Sequence, residues 1–530
     1  MGVKLEDLLK ENNTPLMEDK SKKTINMLLI IIAVIVVLIL ISVGVLINNS
    51  NNQAQIERAK NLAADIDAIS YAIKNIYSEY RIDGDATKLI GASQEDQYAT
   101  PIVLNGEEYK HGYYYVSEGE IKKIVSTLRV ENEAYVLNYS TGDVVNTNGA
   151  KWNGKTYYSV DDLKAIMNGQ TPPSDYTIVI DSPEDMKLLH QKPNGYFKLS
   201  NDIDMSSIYS AGDGWEPVKD FSGSFNGRGY VIKNLVVSRT STDYCGLFGK
   251  LTSNARINNL KLENVNVSGG NYVGAIAGAC SGNVTNCTVS GNVTGTFTCV
   301  GGAFGLFENG VITNVISKVN VSGTENVGGF VGTMTSGTIQ TSSTESTING
   351  NRNVGGFVGR VAPAGDTKIN QVYSKASISS VQVAGGMLGT LEMQNASSFE
   401  ISDSYSKGQI TFCDNTVGGF IGSIKANTNT KFKFAHVYTT VKTPTDCKEL
   451  KGGFAGDITT AAGGSSILCY WEKDNRHDYD LNDVGKTNNV ALNFQAFTPT
   501  EMKAPENYSE WDLSETWKTV SKDTPVLRWQ

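Results

Sequence analysis

Between residues 244 and 456 short apolar segments alternate with glycine and small polar residues at a nearly fixed spacing. Eight times the chain writes a version of V-G-G-F-V-G. The tighter copies are Cys245-Gly246-Leu247-Phe248-Gly249, Val273-Gly274-Ala275-Ile276-Ala277-Gly278, Val300-Gly301-Gly302-Ala303-Phe304-Gly305, Val327-Gly328-Gly329-Phe330-Val331-Gly332 and Val354-Gly355-Gly356-Phe357-Val358-Gly359. Looser copies follow at Gly385-Gly386-Met387-Leu388-Gly389, Gly418-Gly419-Phe420-Ile421-Gly422 and Gly452-Gly453-Phe454-Ala455-Gly456. Their closing glycines lie 29, 27, 27, 27, 30, 33 and 34 residues apart. A steady period in this range predicts stacked repeats, each of which needs its neighbours to bury an apolar side.

A second marker follows each closing glycine by about eight residues, as in Ile257-Asn258-Asn259-Leu260, Val284-Thr285-Asn286-Cys287 and Ile312-Thr313-Asn314-Val315. A third is a β-branched residue beside Ser-Gly or Thr-Gly, as in Val267-Ser268-Gly269. Three short strands per repeat, alternating with period two and lacking helical periodicity, predict a parallel β-solenoid. Ile257, Val284, Ile312, Ile339, Ile369 and Ile401 are expected to form an inward ladder. At about 4.8 Å per coil, eight coils make a rod on the order of 40 Å long. The paired glycines have two readings: dihedrals closed to other residues, or close approach of neighbouring backbones.

Before the repeats the pattern changes twice. Residues 25–47 are apolar except for Asn26, Ser42 and Gly44, enough for one membrane crossing as a helix. Lys20, Lys22 and Lys23 precede this run and the following stretch is uncharged, which predicts a signal anchor with residues 1–24 in the cytoplasm and the rest outside. Residues 48–170 then read as a helix plus a small β-meander. Ile66, Ile69, Ile73, Ile76, Tyr77 and Tyr80 give the helix one apolar stripe, expected to pack on its own meander. Residues 171–175 read as a stiff linker, 176–470 as the solenoid and 471–530 as a cap on its C-terminal edge.

Composition supports a folded, turn-rich chain: 53 of 530 residues are glycine and 40% are hydrophobic. A net charge of −9 argues against nucleic acid, which needs a basic footprint. The seven cysteines are odd in number and lack C-x-x-C pairs, so a zinc site is not expected and buried thiols are. One stacked disulfide, such as Cys280–Cys287 or Cys245–Cys280, is the lesser reading.

The order of membrane helix, amphipathic helix and meander, with Tyr135-Val136-Leu137-Asn138-Tyr139-Ser140-Thr141-Gly142-Asp143-Val144-Val145, resembles type IV pilins and pseudopilins of Gram-positive bacteria. It departs from them at Thr24-Ile25-Asn26-Met27-Leu28, which lacks the processing glycine and the following glutamate. From Gly195-Tyr196-Phe197-Lys198-Leu199 through Gly214-Trp215-Glu216-Pro217-Val218 and Phe225-Asn226-Gly227-Arg228-Gly229 to the closing Pro525-Val526-Leu527-Arg528-Trp529, residues 176–530 resemble bacterial GLUG-motif surface proteins. That resemblance implies a right-handed parallel β-helix and a cell-surface or adhesin-like role.

Chemistry is sparse. Histidines 111, 190, 436 and 477 are scattered, and there is no H-E-x-x-H or G-x-S-x-G. Asp474 to Asp483 looks calcium-like but fails the EF-hand register, so neither a metal nor a cofactor is expected. In register, Asn259, Asn286, Asn314, Thr341, Gln371, Asp403 and His436 form one polar stripe. Asn259, Asn286, Asn314, Gln371 and Asp403 are candidate binding residues, with turn-borne Tyr244, Tyr272 and Phe297 beside them. The expectation is a membrane-anchored, non-enzymatic adhesin or binding protein for a glycan or a host or neighbour-cell surface. The alternatives are a minor pilin working with pilin-like subunits and a polysaccharide-active β-helix enzyme.

Overall fold

A computed structural model describes residues 52–530 except 78, 81–84, 95–101, 105–106, 110–111, 176, 210–211, 395–396, 428–429, 445–446, 460–462, 474–482 and 488–491. The apolar run 25–47 and the tail before it lie outside the described residues. Among the described residues no helix is long and apolar enough to cross a membrane.

The first unit is a helix laid on an antiparallel sheet. Helix 52–77 buries Ala59, Leu62, Ile66, Ile69 and Ile73 against Val116, Tyr135, Leu137, Tyr139 and Val144 of the sheet and Leu163 and Ile166 of helix Val160–Met167. The apolar stripe is therefore used within its own domain. Five strands run in the order Ala92–Ser93, Tyr113–Ser117, Ala134–Asn138, Asp143–Trp152 and Lys155–Ser159. The turn before Asp143 closes at Gly142, whose N–H donates to Asn138 O at 2.8 Å with φ +71°. The expected linker is tied down rather than free. Lys155 and Tyr157 bind the Asp175 carboxylate at 2.6 and 2.8 Å, and Ser174 donates twice to Asp162.

The second unit is the solenoid, and its strands stack in parallel. The inward ladder is in register: Ile257 faces Val284, then Ile312, Ile339, Ile369, Ile401 and finally Phe434. It also extends backwards through Phe225 and Phe197 to Ile178. Period-two alternation explains this, since every second residue of a strand faces the core. A ten-stranded sheet from Val218–Phe221 to Val484–Thr487 and a six-stranded sheet from Thr298–Gly301 to Leu450–Gly452 complete the coil walls.

The V-G-G-F-V-G motif is the corner between those two sheets. Val327-Gly328 ends one strand, Gly329-Phe330 bends, and Val331 opens the next strand. Phe330 points into the core and stacks on Phe357 at 4.6 Å; Phe420 and Phe454 repeat this at 4.8 Å. The two glycine readings resolve in favour of close approach. A Cβ on Gly355 would lie 1.9 Å from the Val358 carbonyl oxygen, and one on Gly356 would lie 2.0 Å from Gly386 O of the next coil. Neither glycine has a left-handed φ.

The C-terminal segment departs from the expected end cap. Gln495–Phe497 still belongs to the large sheet, paired with Tyr470–Glu472. Residues 498–530 then fold back along the flank of four coils. Their docking surface is a column of tyrosines in register, Tyr373, Tyr405, Tyr438 and Tyr470. Trp511 stacks on Tyr470 at 5.6 Å, and Trp517, fully buried, sits 6.2 and 6.0 Å from Tyr405 and Tyr438. The column's polar ends are bonded too. Tyr438 Oη donates to Pro525 O at 2.7 Å, and Tyr405 Oη donates to Gln530 Oε1 at 3.0 Å. The segment clasps the side of the rod because aromatic rings stacked at the coil spacing leave an apolar strip that must be covered.

All seven cysteines are free thiols; six are buried and Cys447 is half-buried.

Two outcomes follow for stability. Gly356→Val should cost about 3 kcal/mol or more in chemical denaturation, while Gly119→Ala, with open space around it, should change stability by less than about 0.5 kcal/mol. Equal effects would refute close approach as the reason for the glycines. Trp517→Ala should cost about 3–5 kcal/mol and release 498–530 to limited proteolysis; a segment that stays protected would refute the clasp.

Candidate functional site

The stripe of candidate residues turns out to be a corner of the backbone. Asn259, Asn286, Asn314, Thr341, Gln371, Asp403 and His436 all have φ between +46° and +55°. Each lies in the middle of the large sheet and bends its coil, a left-handed conformation that asparagine tolerates better than most residues. Their amides bond along the rod. Asn259 donates to Asn226 at 3.1 Å, Asn286 to Asn259 at 3.2 Å and Asn314 to Asn286 at 2.8 Å. Where Thr341 replaces asparagine, its hydroxyl oxygen accepts from the Asn314 N–H at 3.2 Å.

Other parts of the chain also rest on this column. Asn286 Nδ2 donates to the Thr141 carbonyl of the small domain. Trp529 Nε1 donates to Gln371 O at 2.9 Å, and Trp517 Nε1 to Asp403 Oδ1 at 3.2 Å. His436 Nδ1 stands 3.3 Å from the same oxygen, with Trp511 beside its ring. Of the five candidates, Asn259 is buried, Asn286 touches the small domain, and Gln371 and Asp403 receive the C-terminal clasp. Asn314 is half-buried and, like Asn259, bonds neither the small domain nor the clasp among the bonds described. Asn314→Gly should therefore be tolerated within about 1 kcal/mol, whereas Asn314→Val should cost at least about 1 kcal/mol more, because a β-branched residue is forced to positive φ. Equal denaturation midpoints would show that the corner conformation is not what selects asparagine.

A second column of left-handed corners precedes the motif: Tyr244, Tyr272, Cys299, Asn326 and Asn353. Tyr244 and Tyr272 stack at 4.7 Å, and the Lys250 ammonium lies 4.0 Å from the Tyr244 ring centre. Phe297, two residues before Cys299, is 53% exposed. The amides again bond along the rod, Asn353 to Asn326 at 2.8 Å and Asn326 to Thr298 at 3.0 Å. Beside them a charged groove of about 560 Å³ holds the pairs Arg352–Glu325 and Arg360–Glu392 at 3.3 and 2.8 Å.

Another opening lies between the small domain and the first coils. It is a cleft of about 1310 Å³. Its floor consists of the outward residues that alternate with the inward ladder. Tyr196, Ser224 and Arg256 form one column in register, and Lys198, Asn226 and Asn258 the next. The facing wall is helix Val160–Met167 with the 170–174 stretch. Among the contacts that join the halves are the Asn286–Thr141 bond and the Arg228 guanidinium, which lies 5.0 Å from the Tyr109 ring centre.

Three carboxylates line the wall, and two are engaged. Asp162 accepts from Ser159 and Ser174, and Asp143 accepts from the Tyr113 hydroxyl. The third, Asp161, opens to solvent through the cleft. Enclosure by the cleft walls holds its carboxyl above the usual range, with the charges of Asp143 and Asp162 adding to the effect. The arrangement offers hydroxyl, amide, guanidinium and ammonium groups together with the exposed Tyr196 ring, and no deep apolar pocket. Chain alternation is the signal that could have located it: Tyr196-Phe197-Lys198, Ser224-Phe225-Asn226 and Arg256-Ile257-Asn258 each place one apolar residue between two outward ones.

Among the described residues no group of three or more His, Cys, Asp or Glu is placed to hold a metal ion. His190 packs on Trp215 at 4.8 Å, and burial holds its imidazole below the usual range. His111, His477 and most of the acidic 474–483 run lie outside the described residues. Asp483 itself serves the backbone, its carbonyl accepting from the Phe454 and Ala455 N–H groups.

No family model matches the chain. It is 38% identical over 176 residues to halomucin of Haloquadratum walsbyi, covering 30% of this chain and 2% of halomucin. It is 37% identical over 102 residues to a "Putative Gly-rich membrane protein" of Evansella cellulosilytica, covering 18% of this chain and 12% of that protein. The chain thus spans a small part of the curated relatives it matches. Among solved structures, a "putative immunoglobulin A1 protease" from Bacteroides ovatus aligns with TM-score 0.34 and 19% identity, over 67% of this chain and 92% of that one. An "IgA1 Protease" aligns with TM-score 0.32 and 14% identity, over 70% of this chain and 28% of that one. These two descriptions correct the expectation of a non-enzymatic protein: solved neighbours carry a protease description, so the absence of enzymatic activity is not assigned to this chain. At these TM-scores the likeness assigns no activity either.

Proposed function

We propose that this chain is a membrane-anchored, surface-exposed binding protein of adhesin type, carrying a GLUG-like β-solenoid and taking a glycan in the cleft between the small domain and the first coils. The observation that carries the reading is the cleft floor. Its outward columns repeat at the coil spacing and present hydrogen-bonding groups beside an aromatic ring, a composition suited to a polyhydroxylated ligand. The apolar run 25–47, with lysines on one flank only, supports the anchor and an exterior solenoid. The names of two relatives, halomucin and a Gly-rich membrane protein, support a surface or membrane setting. The minor-pilin alternative needs an apolar helix face for neighbouring subunits, and the face this helix has is buried on its own sheet.

A soluble fragment of residues 52–530 should retain glycans on an array. Tyr196→Ala and Asn258→Ala should each weaken retention by less than about tenfold, since shallow contacts spread over several coils leave no single anchor. An empty array, or one substitution that abolishes binding in a folded protein, would refute the distributed site. A reducing-sugar assay belongs beside it, because sugar release would replace the binding reading by the polysaccharide-active one.

A further inference from the structure

The coil register brings two of the seven cysteines face to face. Thr416, Val417 and Gly418 pair with Leu450, Lys451 and Gly452 of the next coil. Cys413 precedes the first strand by three residues and Cys447 precedes the second by three. The turns that carry them are bonded to each other: Lys448 N–H donates to Asp414 O at 2.8 Å, and Leu450 N–H to Asn415 O at 2.7 Å. Each sulfur repeats the same local contact, Cys413 Sγ to Thr416 O at 3.2 Å and Cys447 Sγ to Leu450 O at 3.6 Å. Cys447 Sγ also reaches back to Asn415 O of the preceding coil at 3.4 Å. The two side chains are close enough for each to shift the acidity of the other.

The remaining cysteines stack on other residues. Cys245 faces Val273, Cys280 lies between Leu251 and Phe307, and Cys287 faces Val315. Cys299 shares its corner column with Tyr272 and Asn326, and Cys469 precedes Tyr470, which pairs with Tyr438. The pairings Cys280–Cys287 and Cys245–Cys280 therefore do not coincide with any strand register.

We propose that Cys413 and Cys447 are a redox-active pair that closes into a cross-coil disulfide, stapling two successive coils near the C-terminal end of the solenoid. Residues at matching positions of adjacent coils have Cα atoms about 4.8 Å apart, inside the range a disulfide needs. Only Cys447 of the two is half-exposed, so it is the thiol an oxidant meets first. The neighbouring Cys413 thiol holds Cys447 below the usual thiol range, while Cys447 and burial hold Cys413 above it. A low-molecular-weight disulfide is the oxidant. The Cys447 thiolate attacks one of its sulfurs, forming a mixed disulfide and releasing one thiol. Cys413 then gives up its proton, attacks the Cys447 sulfur and releases the second thiol. Two protein thiols are oxidised and one external disulfide is reduced to two thiols. The proposal rests on coil register and stands apart from the glycan reading.

The test is a thiol count on the full chain in detergent, treated with oxidised glutathione while folded and then alkylated under denaturing conditions. The seven thiols should fall to five, with a proteolytic peptide joining Cys413 to Cys447 by mass spectrometry. Cys413→Ser should instead collect one glutathione on Cys447, and Cys447→Ser should keep its six thiols. Seven thiols retained by the folded wild-type chain would overturn the proposal, as would a link between any other pair or loss of thiols in Cys447→Ser. The wild-type peptide map decides the matter even where a variant fails to fold.

Discussion

Each coil of this protein must offer its backbone to the next at the distance of one hydrogen bond, along every wall at once. That requirement governs most of what is seen. A strand can follow its neighbour only if both bend at the same place, so corners fall in columns. Columns at positive φ select asparagine, or residues that stand in for it such as Thr341, Gln371, Asp403 and His436. The motif corner brings backbone so near to backbone that only glycine fits at Gly328, Gly355, Gly385, Gly418 and Gly452. The phenylalanines beside them then stack at the same spacing and fill the interior.

The same constraint decides where binding can happen. A side chain in an inward column belongs to the core, and a side chain at a left-handed corner is already bonded along the rod. What remains are the outward columns, whose residues are relieved of packing duties. Here those columns are not uniformly open. The small domain leans on the first coils and the C-terminal segment on four coils near the other end, and a cleft is left between the small domain and the first outward columns.

Much of this was legible in the chain. The parallel solenoid, the inward ladder from Ile257 to Ile401 and the polar column all follow from period and alternation, and the structure places them in register. Legibility ends where interactions stop being periodic. The clasp joins residues more than a hundred positions apart, such as Tyr405 with Gln530 and Asp403 with Trp517, and nothing in a local pattern encodes such a partner. The cleft arises for the same reason, since it exists only once two units are docked. Asn286 illustrates the boundary: its bonds to Asn259 and Asn314 are repeat grammar, whereas its bond to Thr141 is not. The glycine pairs lay between these cases, their need visible but its cause hidden until the neighbouring carbonyls were located.

The clasp also changes how the rod comes apart. In a simple stack of repeats the terminal coil has one neighbour only and frays first, each coil leaving independently of those further in. Here a single segment is anchored on Gln371, Asp403, Tyr438 and Tyr470, which belong to four successive coils. None of these four coils can leave while the segment holds the other three, and the segment cannot leave without uncovering all four tyrosines. The C-terminal third therefore opens as one cooperative block, with a barrier set by the clasp rather than by any single coil interface.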